Sequence, residues 1–104
     1  MKPQRLVLKI GTNVLQRPNG KLDYNQISEF TQLVAEIRSQ KHEVLIISSG
    51  AVGAGRELCQ FDSAENPLIQ KQILASVGQA RLMQIYTDFL REHHLTIAQV
   101  LLTR

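Results

Sequence analysis

The sequence predicts an α/β protein built on a parallel sheet, because apolar runs of strand length alternate with segments of helical periodicity. Residues 5–10 and 43–47 are short apolar runs, and a segment with apolar residues spaced by three and four separates them. A second helical segment follows and leads into a third apolar run at residues 96–103. Strands joined through helices in this order form parallel crossover units, with the helices packed on the faces of the sheet.

The first predicted strand is Arg5–Ile10, and Lys9 is the only charge inside its apolar run. Its length and composition are typical of a strand that is covered on both faces. The connection that follows runs from Gly11 to about Tyr24, which is long for such a unit, and it contains a Pro-Asn-Gly turn signal. A lid over a ligand and an ordinary surface loop are both compatible with this connection.

The first predicted helix is Tyr24–Gln40, which has an amphipathic pattern of apolar residues. Asp23, followed by Gln26 three residues later, is typical of a capping box at the start of a helix. The second strand, Glu43–Ile47, runs into a Ser-Ser-Gly sequence. We expect a further short helix after Ser49.

A long second helix is predicted from Pro67 to about His94, because proline at the first helical position loses no needed hydrogen bond. Gly78 lies inside this helix and marks either a break or a close packing contact. The third predicted strand is Thr96–Thr103, with five apolar residues among eight. These elements complete a βαβαβ order.

Length and composition are those of a globular protein. The chain has 104 residues, 43% hydrophobic and 20% charged, which makes one domain or part of a larger one. Its single cysteine, Cys59, suits a reducing compartment, so we expect a cytoplasmic protein. The amino-terminal apolar run is too short for a membrane span. A net charge of +3, scattered basic residues and no tryptophan give no stripe for stacking bases, so neither a membrane nor a nucleic acid is an expected partner.

A candidate site lies where the predicted strands end. In open α/β sheets, ligands bind outside the carboxyl ends of the strands, and the segments Lys9–Asn13, Ser48–Arg56 and Leu102–Arg104 meet there. Lys9 is followed directly by Gly11 and Thr12, so its ammonium group would lie near backbone amides that suit phosphate oxygens. A lysine that extends into solvent from a strand end is the alternative.

The second of these segments has a glycine-spaced sequence, SSGAVGAG, at residues 48–55. Small residues allow a ligand to approach the backbone, and the following helix directs free amides towards an anion. The spacing matches neither the dinucleotide-binding pattern G-x-G-x-x-G nor a Walker A loop. An anion site of another kind and a tight strand-to-helix turn both remain open.

Other catalytic chemistries are not supported by the sequence. His42, His93 and His94 have no acidic or cysteine partners at the spacing of metal ligands, so we interpret them as solvated residues at helix ends. No metal-binding residues are predicted. No arrangement of serine or cysteine with histidine suggests a nucleophile.

Five segments together resemble the glutamate 5-kinases of the amino acid kinase superfamily. They are LKIGTNVL at 8–15, ISSGAVGAGR at 47–56, KQ at 71–72, ASVGQ at 75–79 and AQVLLTR at 98–104, and they occur in the order and spacing of that family. The segment at 47–56 is the most specific of them. The resemblance covers essentially the whole chain.

This resemblance implies a fold and an activity. The fold is a three-layer αβα sandwich with a mainly parallel sheet, similar to that of carbamate kinase, and residues 1–104 are the amino-terminal part of a single amino acid kinase domain, with no second domain. The implied reaction transfers the γ-phosphoryl group of ATP to the γ-carboxylate of L-glutamate and gives γ-glutamyl phosphate, the first step of proline biosynthesis. The implied enzyme needs Mg²⁺, held mainly through the nucleotide phosphates.

The resemblance also assigns site residues in two loops. Lys9 is the catalytic residue and binds the ATP phosphates together with Gly11 and Thr12, whereas Ser49 and the backbone of Gly50 and Ala51 hold glutamate. Family members are much longer than this chain, and their remaining glutamate and ATP residues come later. We therefore expect the isolated chain to be inactive.

Two other functions remain open. The chain is compatible with a kinase of the same fold that acts on another carboxylate or phosphate acceptor. It is also compatible with a non-catalytic binding or assembly module, in which the helix from Pro67 to His94 packs against another subunit. A homo-oligomer is expected.

Overall fold

The computed structural model describes residues 2–60 and 66–100. Two parallel strands and four helices form the described part of the chain. In chain order they are β1 (Arg5–Ile10), α1 (Thr12–Leu15), α2 (Tyr24–Ser39), β2 (Glu43–Ser48), α3 (Ala51–Arg56) and α4 (Pro67–Arg91).

The sheet confirms the predicted parallel pairing of the first two strands. Arg5 lies beside Glu43 and the register continues without a bulge to Ile10 beside Ser48. An exposed ion pair joins Arg5 Nε to Glu43 Oε2 at 2.7 Å, at the amino ends of the strands. Because the strands are parallel, their carboxyl ends lie at the same edge and bring the two following loops together.

The two faces of this sheet differ in burial. The even-numbered side chains of β1 and β2 face the helices, and Ile10 and Ile46 belong to or pack against the main hydrophobic core. On the odd-numbered face, Val7, Leu45 and Ile47 are 57%, 48% and 47% exposed. A parallel sheet ordinarily has both faces covered. The odd-numbered face is the one that a third layer would cover.

Both long helices start at a capping side chain. Asp23 Oδ1 accepts hydrogen bonds from the N–H groups of Asn25 and Gln26, which confirms Asp23 as the cap of α2. The predicted capping box is wrong in its second half, because the Asp23 N–H donates to the Leu15 carbonyl and not to Gln26. Asn66 Oδ1 accepts hydrogen bonds from the N–H groups of Leu68 and Ile69 at the start of α4. These side chains satisfy amide groups that a helix start leaves unpaired.

Among the helices of residues 2–60 and 66–100, none combines the length and the apolar composition that spanning a membrane requires.

The connection after β1 is anchored in the core at two positions. Leu15 and Leu22 are both buried in the main cluster. An antiparallel bridge pairs Gln16 with Leu22, and the Asp23 N–H donates to the Leu15 carbonyl at 2.7 Å. Burial of two leucines and these backbone bonds fix the segment against the helices. The surface-loop alternative describes its exposed residues, which are 11–14, 17–19 and 21.

The third predicted strand is wrong over residues 96–100. Helix α4 ends at Arg91, and the Leu95 N–H donates back to the Leu90 carbonyl. Residues 96–100 pair with no strand in the described part of the chain, and Val100 is 73% exposed. The apolar pattern of this segment is that of a strand, but a strand forms only where a neighbouring strand supplies hydrogen bonds. Residues 101–104 lie outside the described part.

Helices α3 and α4 approach each other through glycine. A Cβ atom placed on Gly78 would lie 1.6 Å from the Ala51 carbonyl oxygen, and one on Gly55 would lie 2.1 Å from the Leu74 carbonyl oxygen. Both neighbours are backbone atoms and cannot rotate away. Of the two interpretations of Gly78, the close packing contact is therefore correct and the break is not, since α4 continues through it.

We expect Gly78→Ala to destabilise the chain by about 3 kcal/mol or more, because the added methyl group must separate α3 from α4. Gly11→Ala is the matched control: a Cβ atom at Gly11 would meet nothing within 4 Å, and its φ of −93° suits any residue. Urea unfolding followed by circular dichroism measures both variants. Equal midpoints for the two alanine variants would contradict the packing described here.

Candidate functional site

Hydrogen bonds join the two loops that follow the strands. The Ser49 N–H donates to the Ile10 carbonyl at 3.1 Å, which extends the sheet by one bond past β2. The Thr12 hydroxyl donates to Ser49 Oγ at 3.0 Å. Thus the structure brings together Thr12 and Ser49, which the sequence analysis placed in different binding loops.

Lys9 lies on the odd-numbered face of the sheet beside Ile47, near the carboxyl end of β1. Its side chain is exposed, and within the described residues it forms no ion pair. The ammonium charge is therefore available to an external anion. Both interpretations of Lys9 stay open on geometry alone, since a free lysine at a strand end fits each of them.

Gly11 gives independent support for a ligand beside Lys9. Its φ of −93° and ψ of 170° are extended and open to any residue, and the space around its absent side chain is empty. The fold thus gives no reason for glycine at this position. A ligand that approaches the backbone closely would supply such a reason.

In the loop after β2, by contrast, the fold itself requires glycine at position 50. This residue is buried and has a φ of 107°, a left-handed conformation that glycine adopts without steric cost. A Cβ atom there would also lie 3.2 Å from Leu15 Cδ1. Within the described residues, the N–H groups of Gly50 and Ala51 donate no hydrogen bond. Two adjacent amides next to Ser49 are therefore available to an acceptor.

A buried tyrosine contacts the same loop from the side of the helices, and the sequence analysis missed it. Tyr86 on α4 is 3% exposed, and its hydroxyl lies 2.7 Å from Ser48 Oγ. Its ring meets that of Phe30 edge to face, with centroids 6.4 Å apart. In the sequence, Tyr86 is one more apolar position of a helix, and only its polar hydroxyl hints at a partner.

The interpretation of His42 was wrong. Its side chain is buried, and Nδ1 accepts a hydrogen bond from the Gln4 N–H at 3.0 Å, because the segment before β1 covers it. Across the described ranges, no three His, Cys, Asp or Glu residues are grouped as metal ligands. The predicted site segment Leu102–Arg104 lies outside the described residues.

These features define a class of protein: an α/β chain with an anion-compatible site at the carboxyl ends of parallel strands. The sequence pattern of the Amino acid kinase family matches residues 4–104. The chain therefore belongs to the amino acid kinase family, and the α/β fold class predicted from the sequence is confirmed.

Several curated proteins named glutamate 5-kinase are similar to this chain in sequence. The chain is 36% identical over 104 residues to the glutamate 5-kinase of Lactococcus lactis subsp. cremoris, covering all of this chain and 38% of that protein. It is 41% identical to the glutamate 5-kinase of Bacillus cereus, over all of this chain and 28% of the relative. The glutamate 5-kinase of Citrifermentans bemidjiense is 44% identical over 99% of this chain and 28% of its own length. The chain thus spans about a third of the relatives it matches.

The site predicts a pH dependence of stability through Tyr86. Burial raises the pKa of its phenol above the ordinary value of 10.0. Above about pH 10 the phenol loses its proton in the unfolded chain before it does so in the folded chain. The stabilisation of the folded chain by the buried, protonated phenol is therefore present below that pH and is lost as pH rises through the folded pKa. We expect the free energy of unfolding to fall less steeply above pH 10 in Tyr86→Phe than in the wild type.

Urea unfolding at pH 8, 9, 10 and 10.5 measures this slope. Tyr24 is a second phenol whose pKa is raised, by burial first and then by the hydrogen bond to Glu57. It is also more exposed than Tyr86. Tyr24→Phe should therefore change the slope in the same direction. Identical slopes in the wild type and Tyr86→Phe would show that the phenol is not protected by burial.

Proposed function

We propose that this chain supplies part of the active site of a glutamate 5-kinase, which transfers the γ-phosphoryl group of ATP to the γ-carboxylate of L-glutamate. The similarity to proteins named glutamate 5-kinase supports this activity, and the family match supports a kinase. The observation that carries the proposal is the Thr12–Ser49 hydrogen bond of 3.0 Å. This bond joins the loop that would bind phosphate to the loop that would bind the acceptor, and in-line transfer requires the two substrates to lie side by side.

On the ATP side, Lys9, Gly11 and Thr12 would bind the phosphates. Their chemistry fits: an unpaired ammonium group, open space over a glycine and a hydroxyl group on the adjacent residue. Lys9 would neutralise charge that develops on the transferred phosphoryl group. Mg²⁺ would be held mainly through the phosphate oxygens, where it offsets their charge, and we assign it no ligand in this chain.

On the acceptor side, Ser49, Gly50 and Ala51 would hold glutamate. The two available amides are donors of the kind that a carboxylate accepts, and the Ser49 hydroxyl, whose bond to the Ile10 carbonyl is long at 3.5 Å, could be a third. The left-handed Gly50 sets the turn from which these groups project. Positioning of the γ-carboxylate towards the phosphoryl group supplies most of what this reaction needs from the protein.

We further propose that the isolated chain is inactive and cytoplasmic, and that the kinase is a homo-oligomer. The chain spans 28–38% of the relatives described above, so most of their length has no counterpart in it. An apolar surface on the first half of α4 supports assembly: Leu68 and Ile69 are 65% and 49% exposed. Multi-angle light scattering of the complete kinase tests this, and a monomer at all concentrations would contradict it.

The complete kinase used in the tests is the product of the whole reading frame that contains this chain. If that frame ends at codon 104, the chain replaces the matching 38% of Lactococcus lactis glutamate 5-kinase in a chimera. Formation of the hydroxamate from glutamate, ATP and hydroxylamine reports the activity. Competition between glutamate and acetylglutamate distinguishes glutamate from another acceptor. No hydroxamate from glutamate would refute the proposed function.

Lys9→Ala should lower kcat/KM by an amount that corresponds to about 3–4 kcal/mol, as expected for loss of a preorganised charge stabiliser. Lys2→Ala is the control, because Lys2 is an exposed lysine that precedes β1. Its kcat/KM should equal that of the wild type. Near-normal hydroxamate formation by Lys9→Ala would remove Lys9 from the catalytic machinery.

Gly11→Ala should raise the KM for ATP at least about tenfold while leaving the unfolding midpoint unchanged, because the methyl group occupies space that the fold leaves empty. Steady-state kinetics with varied ATP and saturating glutamate measure the effect. A normal KM for ATP in this variant would show that no phosphate approaches Gly11.

A further inference from the structure

We infer that Tyr86 is a positioning residue that sets the direction of the Gly50 N–H in the acceptor loop. The inference rests on the proposed function for its consequence in catalysis, but its structural part stands on contacts within the described residues. Tyr86 itself lies behind the loop and would contact neither substrate.

The contacts form a directed chain of hydrogen bonds. Ser48 Oγ donates to the Ser49 carbonyl oxygen at 2.8 Å. A serine hydroxyl has one proton, so Ser48 must accept in its second bond, and the Tyr86 hydroxyl is the donor across 2.7 Å. The order is therefore Tyr86 to Ser48 to the Ser49 carbonyl.

Holding the Ser49 carbonyl determines the direction of the next amide. The peptide unit that joins Ser49 to Gly50 is planar and trans, as are all peptide bonds described here. In such a unit the C=O and the N–H point in opposite directions. A carbonyl held towards Ser48 therefore directs the Gly50 N–H away from it, as an available donor.

The peptide needs such a restraint because its other side is glycine. Gly50 has no side chain to limit rotation, and rotation of the peptide unit would turn the N–H away from an acceptor. The Ser49 N–H bond to Ile10 fixes the preceding peptide only. Tyr86, which is buried on the longest helix, provides a rigid anchor for the following one.

Tyr86→Phe tests the inference in the complete kinase, because phenylalanine keeps the ring packed and removes the hydroxyl. We expect the KM for glutamate to rise about 3- to 10-fold with the KM for ATP unchanged, the effect of one hydrogen bond. Ser48→Ala should show the same split, and the double variant should be no worse than either single one. Ser48→Thr, which keeps a hydroxyl, should restore the wild-type value.

Tyr24→Phe is the matched control. It also loses a phenolic hydrogen bond, 2.6 Å long, but to Glu57 at the far end of α3. It should lower the unfolding midpoint without changing the KM for glutamate. An unchanged KM in Tyr86→Phe, or equal changes for glutamate and ATP, would overturn the catalytic part of the inference.

A second readout does not depend on activity. In the complete kinase labelled with ¹⁵N-glycine, Tyr86→Phe should shift the Gly50 amide resonance and speed its hydrogen exchange, while Tyr24→Phe leaves both unchanged. If the wild type does not phosphorylate glutamate, the proposed function fails and this readout still decides the role of Tyr86. An unaltered Gly50 resonance in Tyr86→Phe would refute that role.

Discussion

The close contact between α3 and α4 is the constraint on which the rest of the site depends. At Gly78 the backbone of α4 meets the Ala51 carbonyl, with no room for a single added carbon. Ala51 is the first residue of α3 and follows the acceptor loop directly. The distance between the backbones of α3 and α4 at this contact therefore determines how far the loop lies from α4. A shift of even one ångström would break the Tyr86–Ser48 hydrogen bond of 2.7 Å.

At the end of β2, Ser48 and the following Ser49 direct their side chains to opposite sides of the sheet. Side chains of a strand alternate, so Ser48 faces the helices and reaches Tyr86, whereas Ser49 faces the loop after β1 and reaches Thr12. One pair of adjacent residues thus connects the core to the site. A serine pair does this because each hydroxyl both donates and accepts.

Much of the frame follows from local patterns in the sequence, whereas the site depends on contacts between distant residues. Asp23 and Pro67 mark helix starts because capping and the fixed backbone angle of proline are local effects, and β1 and β2 follow from their apolar runs. The strand predicted over residues 96–100 failed because pairing needs a neighbour that no local pattern reveals. Tyr86 was missed because its partner is 38 residues away. The loops containing Lys9, Gly11 and Ser49 could be found, since glycines and a lone charge at strand ends are local signals.

The exposed face of the sheet links the fold to the strength of the proposed catalysis. Lys9 lies on this face next to Val7 and Ile47, whose side chains are about half exposed. In water, an ammonium group stabilises an opposite unit charge four ångströms away by about 1 kcal/mol. Near a protein surface, with an effective dielectric constant of 20, the same pair is stabilised by about four times as much. A layer covering Val7 and Ile47 would therefore also exclude water around the ammonium group of Lys9. The same layer would thus bury apolar surface and strengthen the attraction between Lys9 and a phosphate. A sheet with this face uncovered lacks both contributions.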